Sequence, residues 1–249
     1  MHELLKTARI GEYHGCVRRD FWFQGHPATV VFPKRAAPGH PWLWRAEFFG
    51  DFDAVDAALL KKGYTITYDS LSNLYGCPEA VMMMKQFYDF CVKEIGLSEK
   101  TVLLGLSRGG LYAVNYALAY PETVRALYLD APVLDLKSWP CHTDRRQPMC
   151  REIAECYQVY GLDSRSILTF DRNPIDRAGE LIDRHIPIVV VAGDADDVVP
   201  HLQNCQRLID LYEERGGRYL YLLKEGCGHH PHSLEDPTPV VDFICSCHA

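Results

Sequence analysis

Residues 105–109 read Gly-Leu-Ser-Arg-Gly, and they join a short apolar run to a helical pattern. No other segment constrains the fold as tightly. Residues 101–104, Thr-Val-Leu-Leu, are the unbroken apolar run expected of a strand buried on both faces. Residues 111–119 carry apolar side chains at helical spacing, and Pro121 stops them. A serine on the sharp turn between strand and helix is held clear of the backbone. Such a turn is strained, and small residues two positions either side of the serine let the two elements pass closely. Gly105 and Gly109 occupy those positions, with Gly110 beside them. A serine hydroxyl is a weak nucleophile until a base takes its proton, so this presentation has a chemical use. An idle serine on a glycine-rich turn would give the same five letters. The strand before it and the helix after it separate the two cases.

Strands and helices alternate along the rest of the chain. After an irregular start, residues 20–23 and 28–32 are strand patterns around a Gly25-His26-Pro27 turn, which predicts a hairpin. Strands are expected at 41–46, 64–68, 126–129, 186–192 and 218–223. Helices are expected at 53–62, ending at Gly63, and at 79–95, 202–214 and 240–245. This alternation predicts an α/β fold in one domain over residues 1–249, with a mostly parallel sheet covered on both faces and an antiparallel edge from the hairpin. Residues 138–180 interrupt it, with helices near 151–160 and 164–170. This stretch is either a small cap over the strand ends or an elaborated surface crossover.

The length of 249 residues is enough for one large α/β domain with a well-buried core. The net charge of −7, with no basic stripe, argues against a nucleic-acid partner, which needs clustered Lys and Arg. No apolar run has the length of a membrane span, and the start lacks the apolar core of a signal peptide, so a cytoplasmic location is expected with no membrane partner. In that compartment the ten cysteines are expected to be thiols. Cys141, Cys150 and Cys156 fall near His142, and Cys245 and Cys247 near His248, without paired C-x-x-C spacing. No metal is expected at either group.

The chain resembles a single-domain serine α/β-hydrolase over nearly its full length, of the esterase or prolyl-oligopeptidase-like kind. The resemblance rests on the Ser107 turn, on Gly-Asp-Ala-Asp-Asp-Val-Val-Pro at 193–200 and on Gly-Cys-Gly-His-His-Pro-His at 226–232, in that order after the right strands. The segments WLWRAEFFG, GLSRGGLYAVNYA and GCGHHPHSLEDPTPVVDFI also look like a bacterial hydrolase subgroup. It implies the α/β-hydrolase fold and a triad in the chain order serine, acid, histidine. The G-x-x-D-x-x-V-P turn selects Asp196 as acid, leaving Asp194 and Asp197 to cap or face water and Asp135 as a fallback. The position after the glycine selects His229 as base, with His230 and then His232 as competitors. One oxyanion donor is expected at the backbone N–H of Arg108. The His-Gly motif that carries the second in many relatives is missing, and alignment on Gly63 puts that donor at Glu47, or at Ala46 with a shift of one. Arg45 and Glu47 either form a surface ion pair or line the site. Tyr75 and Trp139 are candidate substrate walls, and Trp44 is expected to pack. The resemblance implies no cofactor and a small-molecule or carbohydrate ester as substrate, with short acyl groups. Peptide cleavage is the alternative, disfavoured because the chain lacks the large extra domain that often selects short peptides. A ligand-binding module that kept the fold is a third reading, against which the intact set of Ser, Asp and His counts.

Overall fold

The computed structural model describes residues 2–143 and 150–247. Nine strands form one sheet: β1 (Arg9–Tyr13), β2 (Cys16–Phe23), β3 (His26–Phe32), β4 (Trp42–Arg45), β5 (Thr65–Asp69), β6 (Thr101–Leu106), β7 (Val124–Asp130), β8 (Ile188–Gly193) and β9 (Tyr219–Lys224). Their order is β1-β2-β3-β5-β4-β6-β7-β8-β9. The pairs from β5 through β4 to β9 are parallel, while β1, β2, β3 and β5 pair antiparallel. This is the α/β-hydrolase arrangement, a mostly parallel sheet with an antiparallel edge. The hairpin at that edge is larger than the sequence suggested. The segment read as an irregular start holds α1 (Glu3–Thr7) and β1, which extends the edge by pairing Arg9 with Asp20 through Tyr13 with Cys16. An exposed, short and mostly polar strand carries too little alternation to be read from sequence.

Helices cover both faces. On one lie α2 (Ala54–Lys61) and a closing helix; on the other lie α3 (Pro78–Phe90), which runs on into a π-turn at Cys91–Ile95, and α4 (Gly109–Ala119). The insertion contributes α5 (Arg151–Tyr160), α6 (Pro174–Arg177) and α7 (Gly179–Asp183). Then follow α8 (Cys205–Glu214), on the face of α3 and α4, and the closing α9 (Thr238–Ser246). Because side chains alternate along a strand, each central strand feeds both cores. Leu103, Ile188 and Val190 point to α3, α4 and α8, whereas Val102, Leu104, Val189 and Val191 point to α2 and α9. The same parity sorts β4. Trp42 and Trp44 enter the first core, ring centroids 5.7 Å apart, so Trp44 packs as expected. Leu43 enters the second, and Arg45 follows it toward α2.

The described part of the insertion does not float over the sheet. Ile153, Cys156, Ile167 and Phe170 bury themselves against Tyr75, Leu111, Val133 and Leu136, which lie around the carboxyl ends of the strands. The helix expected near 164–170 is a single 3-10 turn, Ser166–Thr169. No described residue belongs to a helix long and apolar enough to cross a membrane. None of the ten cysteines forms a disulfide, and Cys141 and Cys156 are buried together in the insertion core; His248 lies outside the described residues.

Candidate active site

Ser107 sits between β6 and α4 with φ of 47°, the left-handed strain expected of such a turn. Its carbonyl accepts from the Val133 and Gly110 amides, and its own amide donates to the Asp130 carbonyl, so the turn is fixed from three sides. The close approach explains Gly105: a Cβ there would lie 2.8 Å from the Gly109 carbonyl oxygen and 3.0 Å from the Gly110 Cα.

The two other expected members come from loops after β8 and β9. Asp196 Oδ1 accepts from the amides of Val198 and Val199, at 3.0 and 2.9 Å, which aims Oδ2 away from its own turn. That oxygen lies 2.7 Å from His229 Nδ1, and His229 Nε2 lies 3.0 Å from Ser107 Oγ. Asp196 and His229 are each 7 % exposed, while Ser107 is only half-buried. Gly193 allows the two loops to touch, since a Cβ there would be 2.2 Å from the Cys227 carbonyl oxygen. Asp194 faces water, one of its two expected places, and does not cap the next helix. Its Oδ1 accepts from the Gly226 amide at 2.7 Å and ties the acid loop to the histidine loop. Asp135 is remote from this line, engaged by the Lys137 amide and Arg207.

Two backbone amides lie beside the elbow. A Cβ on Gly109 would approach Glu47 Cβ to 3.3 Å and Glu47 N to 3.7 Å, so the loop after β4 runs against the nucleophile turn. Among the described residues the Glu47 and Arg108 amides donate to nothing, whereas the Ala46 amide is committed to the Leu104 carbonyl. Of the two candidates for the second donor, this leaves Glu47 free.

The side chains here differ from expectation. Arg45 and Glu47 do not pair with each other, and neither pair is at the surface. Glu47, 1 % exposed, accepts from Arg108 Nε and Nη2 at 3.1 and 3.0 Å and from the Ser72 hydroxyl at 3.0 Å. Burial pushes its carboxyl up, and the Arg108 charge opposes that. Arg45 is not a substrate ligand. Its fully buried guanidinium holds both oxygens of Asp56 on α2, at 2.9 and 3.0 Å, and the carbonyls of Phe48 and Asp51 at 2.9 and 2.6 Å. The reason is strand parity, and the consequence is positional: Arg45 fixes the turn that follows Glu47. Tyr75 does not wall an open site either. It is fully buried, its hydroxyl donates to Glu155 at 2.8 Å, and its ring packs the insertion onto the body instead of facing an open site. Trp139 stays partly exposed against it, ring centroids 6.1 Å apart.

A cavity of about 890 Å³ opens beside the elbow, starting at Arg108 and Glu47 and running along β2 and β3 to α1. Its walls combine aromatic faces (Trp22, Phe48, Phe49, Tyr68) with Arg9, Arg18, Asp20, Ser70 and Ser72. Sequence reading missed these residues. The alternation of Arg18, Asp20 and Trp22 on one face of β2 was the available signal, but nothing local says that this face shares a cavity with Glu47 and Arg108.

A second buried histidine–carboxylate pair was also missed. His232 Nδ1 lies 2.7 Å from Asp130 Oδ1, and Asp130 Oδ2 accepts from the Ser233 amide at 2.7 Å and the Tyr128 hydroxyl at 3.1 Å. His230 is exposed, and its pKa is lowered by desolvation first and then by His232 and His229. His229, His230 and His232 are the residues here able to hold a metal ion, their candidate ligand atoms all within 4.8 Å of one another.

The fold has solved counterparts at low identity. The dipeptidyl peptidase 4 of Porphyromonas gingivalis superposes with a TM-score of 0.70 at 14 % identity, covering 93 % of this chain and 35 % of that one. A puromycin-hydrolyzing peptidase of Mycobacterium tuberculosis gives 0.67 at 16 %, covering 93 % and 39 %. The monoacylglycerol lipase of Paleococcus ferrophilus gives 0.57 at 17 %, covering 88 % and 99 %. The chain thus spans little more than a third of these peptidases and nearly the whole of the lipase. No curated protein sequence matches it. The model of the prolyl oligopeptidase family matches residues 88–246, well over half the chain, and the chain belongs to that family.

Proposed function

We propose that the enzyme cleaves carboxylic esters through an acyl-enzyme, with Ser107 as nucleophile, His229 as base and Asp196 as the orienting acid. The observation that carries this reading is the unbroken line from Asp196 Oδ2 through both nitrogens of His229 to Ser107 Oγ, at 2.7 and 3.0 Å. His229 Nε2 takes the Ser107 proton as Oγ attacks the acyl carbon, and Asp196 stabilises the imidazolium. The free amides of Arg108 and Glu47 receive the oxyanion, usually the largest electrostatic contribution to such a reaction. The alcohol leaves with the proton from His229, and water releases the acyl group by the same route.

Ester cleavage is the smaller demand on this machinery, because an alkoxide leaves more readily than an unprotonated amide nitrogen and so tolerates looser proton delivery. The cavity beside Arg108 supports a polar alcohol. Its aromatic faces suit the apolar face of a sugar, and its charged and hydroxyl groups suit the hydroxyls. The second reading is peptide cleavage, favoured by the family match itself.

A panel of p-nitrophenyl esters, acetylated sugars and amino-acyl nitroanilides separates the two. The expected outcome is higher kcat/KM on esters, with a gradual decline from acetate through butyrate to octanoate, since a methylene changes discrimination by about 1–3 kcal/mol. Rapid nitroanilide cleavage with inert acetylated sugars would transfer the protein to the peptidase reading. Rates that climb steadily to octanoate would point to a lipase-like groove instead.

A further inference from the structure

We propose that His229, His230 and His232 form a binding site for a divalent transition-metal ion, Zn²⁺ by its chemistry, and that occupation of the site reversibly stops hydrolysis. The three ring centroids form a triangle with sides of 4.7, 4.9 and 5.0 Å, and the ring planes are inclined by 75° to 88° to one another. Zinc binds imidazole nitrogen at about 2.0–2.1 Å, so tetrahedral ligands stand roughly 3.3 Å apart. The ligand atoms here lie within 4.8 Å of one another, and His230 is exposed, so a small movement of that side chain closes the site.

The second observation lies behind the rings. His229 and His232 each engage a buried carboxylate through Nδ1 at 2.7 Å, Asp196 in one case and Asp130 in the other. A carboxylate on the far nitrogen fixes the tautomer and the ring orientation and makes the remaining nitrogen a stronger ligand. Here that nitrogen is Nε2 in both. For His232 it has no partner among the described residues, and for His229 its partner is Ser107 Oγ. Phe52 walls one side, stacked on His230 at 6.0 Å and edge-on to His232 at 5.1 Å. Three neutral imidazoles suit Zn²⁺, Cu²⁺ or Ni²⁺; Mg²⁺ and Ca²⁺ need oxygen ligands that this set lacks. A metal on His229 Nε2 occupies the lone pair that takes the serine proton, so binding and proton abstraction exclude each other.

The effect on hydrolysis rests on the reading of His229 as base, but metal binding does not, and the experiment separates them. Zn²⁺ is titrated calorimetrically into the Ser107→Ala protein with and without His230→Gln, and Co²⁺ binding is followed by its visible d–d spectrum. The expected result is a single ion per chain, a tetrahedral Co²⁺ spectrum without thiolate charge transfer, and at least about tenfold weaker binding in the His230→Gln protein. In the protein with Ser107 intact, Zn²⁺ should inhibit ester hydrolysis, protect Ser107 from a fluorophosphonate label and release both on addition of EDTA. His230→Gln alone should leave the metal-free rate unchanged and raise the inhibitory concentration by the same factor. Equal Zn²⁺ affinity with and without His230, or a thiolate band, overturns the proposal. If the metal binds as expected but the protein hydrolyses no ester, the site stands and the function proposed above is what fails.

Discussion

The loop after β9 carries two histidines, each paired with a carboxylate from elsewhere in the fold, and the two pairs look alike in isolation. His229 with Asp196 and His232 with Asp130 share the same ring nitrogen, the same 2.7 Å separation and nearly the same burial. They differ at the other ends. Asp196 turns its second oxygen to two amides of its own loop, and the free nitrogen of His229 meets Ser107. Asp130 turns its second oxygen to the Ser233 amide and the Tyr128 hydroxyl, and the free nitrogen of His232 meets no nucleophile. A buried histidine–carboxylate pair is therefore an orienting device, and its use depends on what stands at the far nitrogen. Beside Ser107 it turns a ring nitrogen toward a hydroxyl, as the proposed base requires; at Asp130 it pins the same loop to the end of β7.

The comparison breaks at its largest effect if Ser107→Ala keeps substantial activity. Removing the nucleophile should lower ester turnover by about 10⁴ to 10⁶ with the thermal transition unchanged. Turnover above a tenth of the unmodified rate, from contaminant-free protein, would return Ser107 to an idle turn residue. Next come the two carboxylates. Asp196→Asn should lower kcat by about 10⁴ through the wrong histidine tautomer. Asp130→Asn should instead remove about 3 kcal/mol of stability while costing less than about tenfold in kcat. Denaturant unfolding beside steady-state kinetics reads both, and a larger kcat loss at Asp130 would reverse the assignment of the two pairs.

The smallest effect contrasts Asp130, which has three hydrogen-bond donors, with Asp69, whose buried Oδ1 has none. Burial raises the Asp69 carboxyl to about 7. A carboxyl that protonates more readily folded than unfolded binds the extra proton in the folded state. Its ionisation therefore subtracts stability as pH rises from about 4 to about 7, with no further change above that. Asp69→Asn should remove this slope and gain on the order of 2 kcal/mol at pH 8 relative to pH 4, less than the full linkage limit because a charged carboxylate draws in water. Thermal melts across that range check it, and parallel pH curves for the two proteins would show that Asp69 finds a partner.

What the sequence determined by itself was local. The Ser107 turn, the parallel strands and the order of serine, acid and histidine all depend on residues within a few positions of one another, or on chain order, which folding preserves. Strand parity was equally local, and applied to β4 it places Arg45 with Leu43, on the face of α2 and away from the site. Only the tertiary structure decided the partners. Asp130 and His232 are separated by 102 positions, and Glu47 and Arg108 by 61. Tyr75 became a core residue because the insertion folded onto it, and the edge strands became a cavity wall because the loops after β4 and β5 join their face to Arg108. These outcomes depend on which surfaces meet, and a contact between distant segments leaves no mark on the composition or periodicity of either one.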